Sequence, residues 1–144
     1  VDVVALILWI LTAGGGFVLL ATWIAKGGHR GGGNSRFPAP LIFGHFLLAA
    51  TGLVLWIIYM AADKDGVGWT AFVLLLIVAL MGFTMLAQWI PTYRAKRTAG
   101  AGTPQAEGGP AERHFPVAIV AGHGVLAAST LVLVLLTMLG VGGD

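Results

Sequence analysis

Four stretches of the chain are almost uninterruptedly apolar: Val3 to Ala25, Pro38 to Ala61, Gly68 to Ile90 and Pro116 to Leu139. Each meets or exceeds the roughly 20 residues that a helix needs to cross a hydrocarbon core. Leu, Val and Ala follow one another without the dyad alternation of a membrane strand, so the pattern predicts helices and not a barrel. Between them lie KGGHRGGGNSR, ADKDGVG and YRAKRTAGAGTPQAEGGPAER, rich in Gly, Ala and polar residues and expected to be flexible unless a partner orders them. The expected fold class is an all-α integral membrane protein, a single membrane domain over 1–144 formed by four transmembrane helices at about 3–25, 38–61, 68–90 and 116–139. No basic segment precedes the first span, which therefore reads as a mature helix and not as a cleaved signal. Pro38, Pro40 and Pro116 fall in first turns, where a missing N–H costs little, and Pro91 is expected to end the third span.

The pattern also repeats. At an offset of 78, FPAPLIFGHFLLAATGLVL (Phe37 to Leu55) matches FPVAIVAGHGVLAASTLVL (Phe115 to Leu133) at ten of nineteen positions, Gly44/Gly122 and His45/His123 among them. At an offset of 66, GFVLLATWI (Gly16 to Ile24) matches GFTMLAQWI (Gly82 to Ile90) at six of nine. Phe-Pro, Gly-His and Trp-Ile are not tokens that an apolar background produces freely. The bundle is therefore expected to consist of two helical hairpins, repeat 1 over 1–62 and repeat 2 over 66–144, in the same orientation and related by an axis along the membrane normal.

Charge sets the expected orientation. Only 10% of residues are charged and 58% are hydrophobic. Lys26, Arg30 and Arg36 lie in the first connection and Arg94, Lys96, Arg97 and Arg113 in the third, whereas Lys64 sits between Asp63 and Asp65 in the second. The positive-inside rule then places both basic loops in the cytoplasm and both termini outside a cytoplasmic (inner) membrane. This topological cause removes any reason to read the net charge of +2 as nucleic-acid binding. Trp23, Trp56, Trp69, Trp89, Tyr59 and Tyr93 fall near span ends, as belt residues do. With no Cys there is no disulfide, thiolate metal site or Cys nucleophile. Gly31 to Gly33 lack the strand and lysine of a phosphate loop.

Within the spans no Asp, Glu, Lys or Arg occurs, so His45 and His123 are the side chains at membrane depth that titrate near neutral pH. Each lies seven residues beyond the proline of its Phe-Pro pair, about 10 Å inward at 1.5 Å per residue, so both reach one depth. Along the same helix face follow Leu48, Ala49 and Gly52 after His45, and Leu126, Ala127 and Thr130 after His123. Such small residues either allow close helix packing or leave a slot for a flat group, and Gly44, Gly122 and Gly124 remove bulk beside the rings. Two opposed imidazoles suit the axial positions of a b-type haem, whereas zinc wants three or four protein ligands that the spans lack. Arg36 and Arg113, about ten residues before each His, are candidates for the propionates. His29 and His114 read as solvated loop residues.

Two facing His on the second and fourth of four spans, flanked by small residues, resemble the haem-binding bundles of membrane cytochromes b and the b-type anchor subunits of respiratory oxidoreductases. The resemblance covers the architecture and the ligand pair. It implies one haem b on the cytoplasmic side, since the places two heptads further on, where a second ligand pair would stand, hold Tyr59 and Thr137. It also implies an electron-transfer subunit and not a complete enzyme, held in a lipid bilayer with other membrane or redox subunits in a complex or oligomer. A quinone is compatible with such a site, and no residue identifies one. Two other readings stay open. The His pair binds a chlorophyll-type pigment, or it is packing glue in a cofactor-free structural subunit, bonded to Thr51, Gln88, Ser129, Thr130 or a backbone carbonyl. A proton-coupled exporter is disfavoured by the lack of an intramembrane carboxylate. The run Ala13 to Gly16 is assigned to packing against a helix or a partner.

Overall fold

A computed structural model describes residues 1–99 and 109–141. Four helices account for most of them: α1 (Asp2–Ala25), α2 (Ala39–Ala62), α3 (Asp65–Thr98) and α4 (Val117–Met138). Each is long and apolar enough to cross a membrane, and the helix is the conformation that satisfies every backbone N–H and C=O within one segment when no water is available. The outer faces carry large apolar side chains at equivalent places in the two repeats: Phe17 and Phe83 are 56% and 62% exposed, Leu47 and Val125 61% and 67%. Water tolerates no apolar surface of that extent on a folded protein, so this is a multi-pass membrane protein whose bundle presents these side chains to lipid.

The helices form a ring in the order α1, α2, α3, α4, which sets α2 diagonally across from α4 and α1 across from α3. Packing is closest between α1 and α4 and between α2 and α3, so the tight contacts join one repeat to the other. The hairpin α1–α2 is thus a unit of sequence more than of packing. Two pairs of equivalent residues meet each other, Phe37 with Phe115 at 6.1 Å between ring centroids and His45 with His123 at 6.3 Å. Only residues beside an internal two-fold axis can each touch their own counterpart.

Two boundaries differ from the sequence expectation. Helix α3 does not stop at Pro91 but runs on to Thr98. The proline forfeits one hydrogen bond, to the carbonyl four residues back, while the following TYRAKRT contains good helix formers, and the Tyr93 ring stacks on Trp89 at 5.0 Å and 18°. The connection between α2 and α3 shrinks to Asp63 and Lys64, with Asp63 in the left-handed region at φ 49°, a place that Asp tolerates better than most residues.

The aromatic belt also needs correction. Trp23 and Trp56 are fully buried and Trp89 nearly so, whereas Trp69 is the one of the four left exposed. The buried indoles belong to two apolar clusters. One, at the end bearing Asp2, Asp63 and Asp65, gathers Trp9, Trp56, Ala71, Leu75 and Val134; the other, at the basic end, gathers Trp23, Phe37, Ile42, Trp89 and Phe115.

The basic end is closed by a clamp across the two long connections. The Glu112 carboxyl group is fully buried and accepts hydrogen bonds from the Ser35 hydroxyl at 2.9 Å and the Arg36 amide at 2.7 Å. Ser35 Oγ in turn accepts from Trp23 Nε1 at 2.8 Å and from the Phe37 amide at 3.0 Å, so its one donor and two acceptor positions are all used. Trp89 Nε1 donates to the Glu112 carbonyl at 3.1 Å, and the Ala111 amide to the Asn34 carbonyl at 2.7 Å. The first connection is therefore ordered, and the element that orders it is the short 3-10 turn Ala111–His114 that precedes α4. Of the third connection, residues 100–108 lie outside those described.

Candidate functional site

His45 on α2 and His123 on α4 project from diagonal helices toward the bundle axis, their rings tilted at 54°. They lie between the two apolar clusters, neither of which contains a residue of this level. His123 Nδ1 is 2.9 Å from the Thr12 carbonyl on α1. A carbonyl only accepts, so Nδ1 carries the proton and the lone pair of this imidazole is on Nε2. His45 lies beside the Val78 backbone on α3, the counterpart of Thr12 at the offset of 66, but its Nδ1 is buried without a hydrogen-bond partner. The repeat thus sets both rings the same way, with one of the two fastened.

Glycines on the other diagonal let the rings approach α1 and α3 closely. A Cβ at Gly16 would stand 3.2 Å from His123 Cε1, one at Gly15 3.5 Å from His123 Cβ, and one at Gly82 3.5 Å from His45 Cε1. Gly16 and Gly82 are equivalent in the repeat. Gly15 and Gly16 belong to the run Ala13 to Gly16, expected to pack against a helix, and they do so against His123 of α4; Gly82 was not among the expected site residues. The matched GF…LA.WI segments held the signal, since they put a glycine at the same place on α1 and α3.

The expected slot residues divide. Ala49 and Ala127 are half-buried on the ligand helices. Gly44 faces the Met81 methyl group, where a Cβ would stand at 3.3 Å. Gly52 is buried against the Trp9 indole, at 3.1 Å from an added Cβ, so the room that it provides is filled by tryptophan. Thr130 is buried and returns its hydroxyl to the Leu126 carbonyl at 2.8 Å. Gly122 and Gly124 lie on the exposed face of α4 with nothing within 4 Å of an added Cβ. The expected slot is therefore not open: the space left by Gly15, Gly16 and Gly82 is taken by the two His rings, as that of Gly52 is by Trp9. Arg36 and Arg113 lie at the basic end, Arg36 exposed and Arg113 half-buried, each beside the Glu112 clamp. His114 Nδ1 lies 3.3 Å from the Ala111 carbonyl, and exposed His29 lies edge-on to Trp23, both remote from the His pair in sequence and element.

Of the polar residues expected as partners of the imidazoles, Thr51 and Ser129 turn back to their own helices, donating to the Leu47 and Val125 carbonyls. Among the described residues no group of three or more His, Cys, Asp or Glu comes together, so the pair offers two protein ligands and no more. Two metal–imidazole bonds of about 2 Å each, together with two ring half-widths, span about 6 Å between ring centres. The observed 6.3 Å matches that sum. The residues present thus fit a metal that takes one imidazole from each side.

Fold and site together define a four-span helical membrane protein with a facing pair of intramembrane histidines. Comparison with protein-family models, with curated proteins and with solved structures finds no match to the chain.

Proposed function

We propose that this protein is a haem-binding membrane subunit for electron transfer, in which His45 and His123 are the axial ligands of one b-type haem. The observation that carries the reading is the 6.3 Å separation of two symmetry-equivalent imidazoles set on one diagonal, with glycines on the other. Such a group supplies reversible one-electron chemistry at its iron. The chain's part is positional. The Thr12 carbonyl fixes the His123 tautomer and ring direction, as outer partners of ligating imidazoles do. The apolar layers above and below keep water from the site. Arg36 and Arg113 are the proposed partners of the propionates, which assigns these to the basic, cytoplasmic end, with both termini outside. The electron would pass to or from another membrane or redox subunit, a quinone being compatible as the mobile carrier.

One observation favours a second reading, a cofactor-free structural subunit: the His123 bond to Thr12 ties α4 to α1 and would serve as packing glue by itself. The two readings part at the variants. Haem-to-protein ratio is measured for protein purified from haem-sufficient cells. The haem reading expects near-stoichiometric haem in the wild type and loss in both His45→Ala and His123→Ala with helicity retained. If both variants keep wild-type haem content, these are not the ligands; if the wild type holds none, the structural reading stands.

A further inference from the structure

The length of α3 is unexplained by crossing the bilayer. Its 34 residues span about 51 Å at 1.5 Å per residue, against about 36 Å for the 24 residues of α1 or α2. A hydrocarbon core takes about 30 Å, and core plus headgroup layers about 40–45 Å. The surplus at the basic end, Pro91 to Thr98, therefore passes through the headgroup layer as a rigid rod. It is fastened there. Trp89, bonded to the Glu112 carbonyl, stacks under Tyr93, and the Arg97 guanidinium lies 5.9 Å over the Tyr93 ring, one helical turn per step. Lys96 Nζ donates to the Arg113 carbonyl at 3.2 Å, lashing the rod to the turn before α4.

Among the described residues the exposed charge at this end is uncompensated. Arg94, Lys96 and Arg97 on the rod and Lys26, Arg30 and Arg36 on the first connection are all exposed. The one acid among the described residues of this end, Glu112, is fully buried with its oxygens engaged by Ser35 and Arg36 N–H. None of the six bases forms an ion pair among the described residues. The topology rule accounts for the sign of this charge but not for a helix held rigid two turns past the apolar span.

From this we infer that the α3 extension is a docking face for anionic phospholipid headgroups, with Arg94 and Arg97, one turn apart on one face, holding the phosphodiester and Lys96 and the first connection's bases adding to the attraction. A lipid is the occupant that fits, because the bases stand at headgroup depth beside an aromatic pair and not on a domain projecting into water. The inference does not depend on haem.

The test is native mass spectrometry of the full chain in detergent with equal phosphatidylglycerol and phosphatidylcholine. Wild type should retain phosphatidylglycerol about fivefold or more over phosphatidylcholine, the factor that roughly one basic residue supplies at an anionic surface. The preference should vanish in R94Q/K96Q/R97Q and persist in R94K/R97K, which keeps the charge and checks against loss of fold. Equal retention of the two lipids by wild type overturns the inference, and so does an unchanged preference in the triple glutamine variant. Salt-sensitive capture of poly-glutamate without lipid preference also overturns it, and assigns the face to an acidic protein.

Discussion

Gly16 and Gly82 occupy equivalent places in the two repeats, yet a methyl group would approach His123 to 3.2 Å at the first and His45 to 3.5 Å at the second. The first distance forces the ring to move and the second is ordinary contact. Gly16→Ala should therefore lower haem retention severalfold, through an overpacking cost of about 1–3 kcal/mol, while Gly82→Ala should leave it close to wild type; equal effects would mean that the two rings are equally free. A different glycine tests the clamp. Gly28 sits so close to the Trp23 indole that no side chain fits, and Gly28→Ala should destabilise the protein by about 1–3 kcal/mol in denaturant unfolding in detergent. Glu112→Ala leaves the Ser35 hydroxyl and Arg36 amide without their acceptors and should cost about 1–3 kcal/mol in the same assay, with Glu112→Gln milder because one oxygen remains. A stability of Glu112→Ala equal to wild type would show that the two connections are not held by this group. At this scale the His pair was legible because ionisable residues are so rare in the spans. Glu112 was not: an acid in a polar loop looks solvated until the other connection folds over it.

Helix order and packing partners need separate accounts. The repeat in the sequence suggests hairpins, α1 with α2 and α3 with α4, whereas the close packing joins α1 to α4 and α2 to α3. The exchange follows from where the small residues lie: Gly15 and Gly16 on α1 receive His123 of α4, and Gly82 on α3 receives His45 of α2. Periodicity could find the four spans, but it could not say which face meets which neighbour when nearly every face is apolar. Pro91 misled for a related reason, since its local cost is offset by the Trp89–Tyr93–Arg97 stack that only the folded helix reveals. The cross-repeat packing makes a prediction about fragments. Residues 1–62 and 65–144, expressed together as separate chains, should co-purify, and each alone should fail to give a monodisperse, protease-resistant species. Independent folding of either half would contradict the packing described.

The whole molecule is a stack of levels along one axis: an apolar cluster with Trp9 and Trp56 at the acidic end, the His and Gly level, an apolar cluster with Trp23 and Trp89, and the Glu112 clamp with its exposed bases. The level of His45 and His123 is a place where two equivalent imidazoles face one another, and the proposed haem rests on that pairing. The measurement that reaches this claim most directly is the reduced-minus-oxidised absorption difference spectrum of the purified wild-type protein, with haem quantified against protein. The account predicts the α band of a six-coordinate b-type haem at one haem per chain. A colourless protein from haem-sufficient cells, or the spectrum of a different tetrapyrrole, would contradict it.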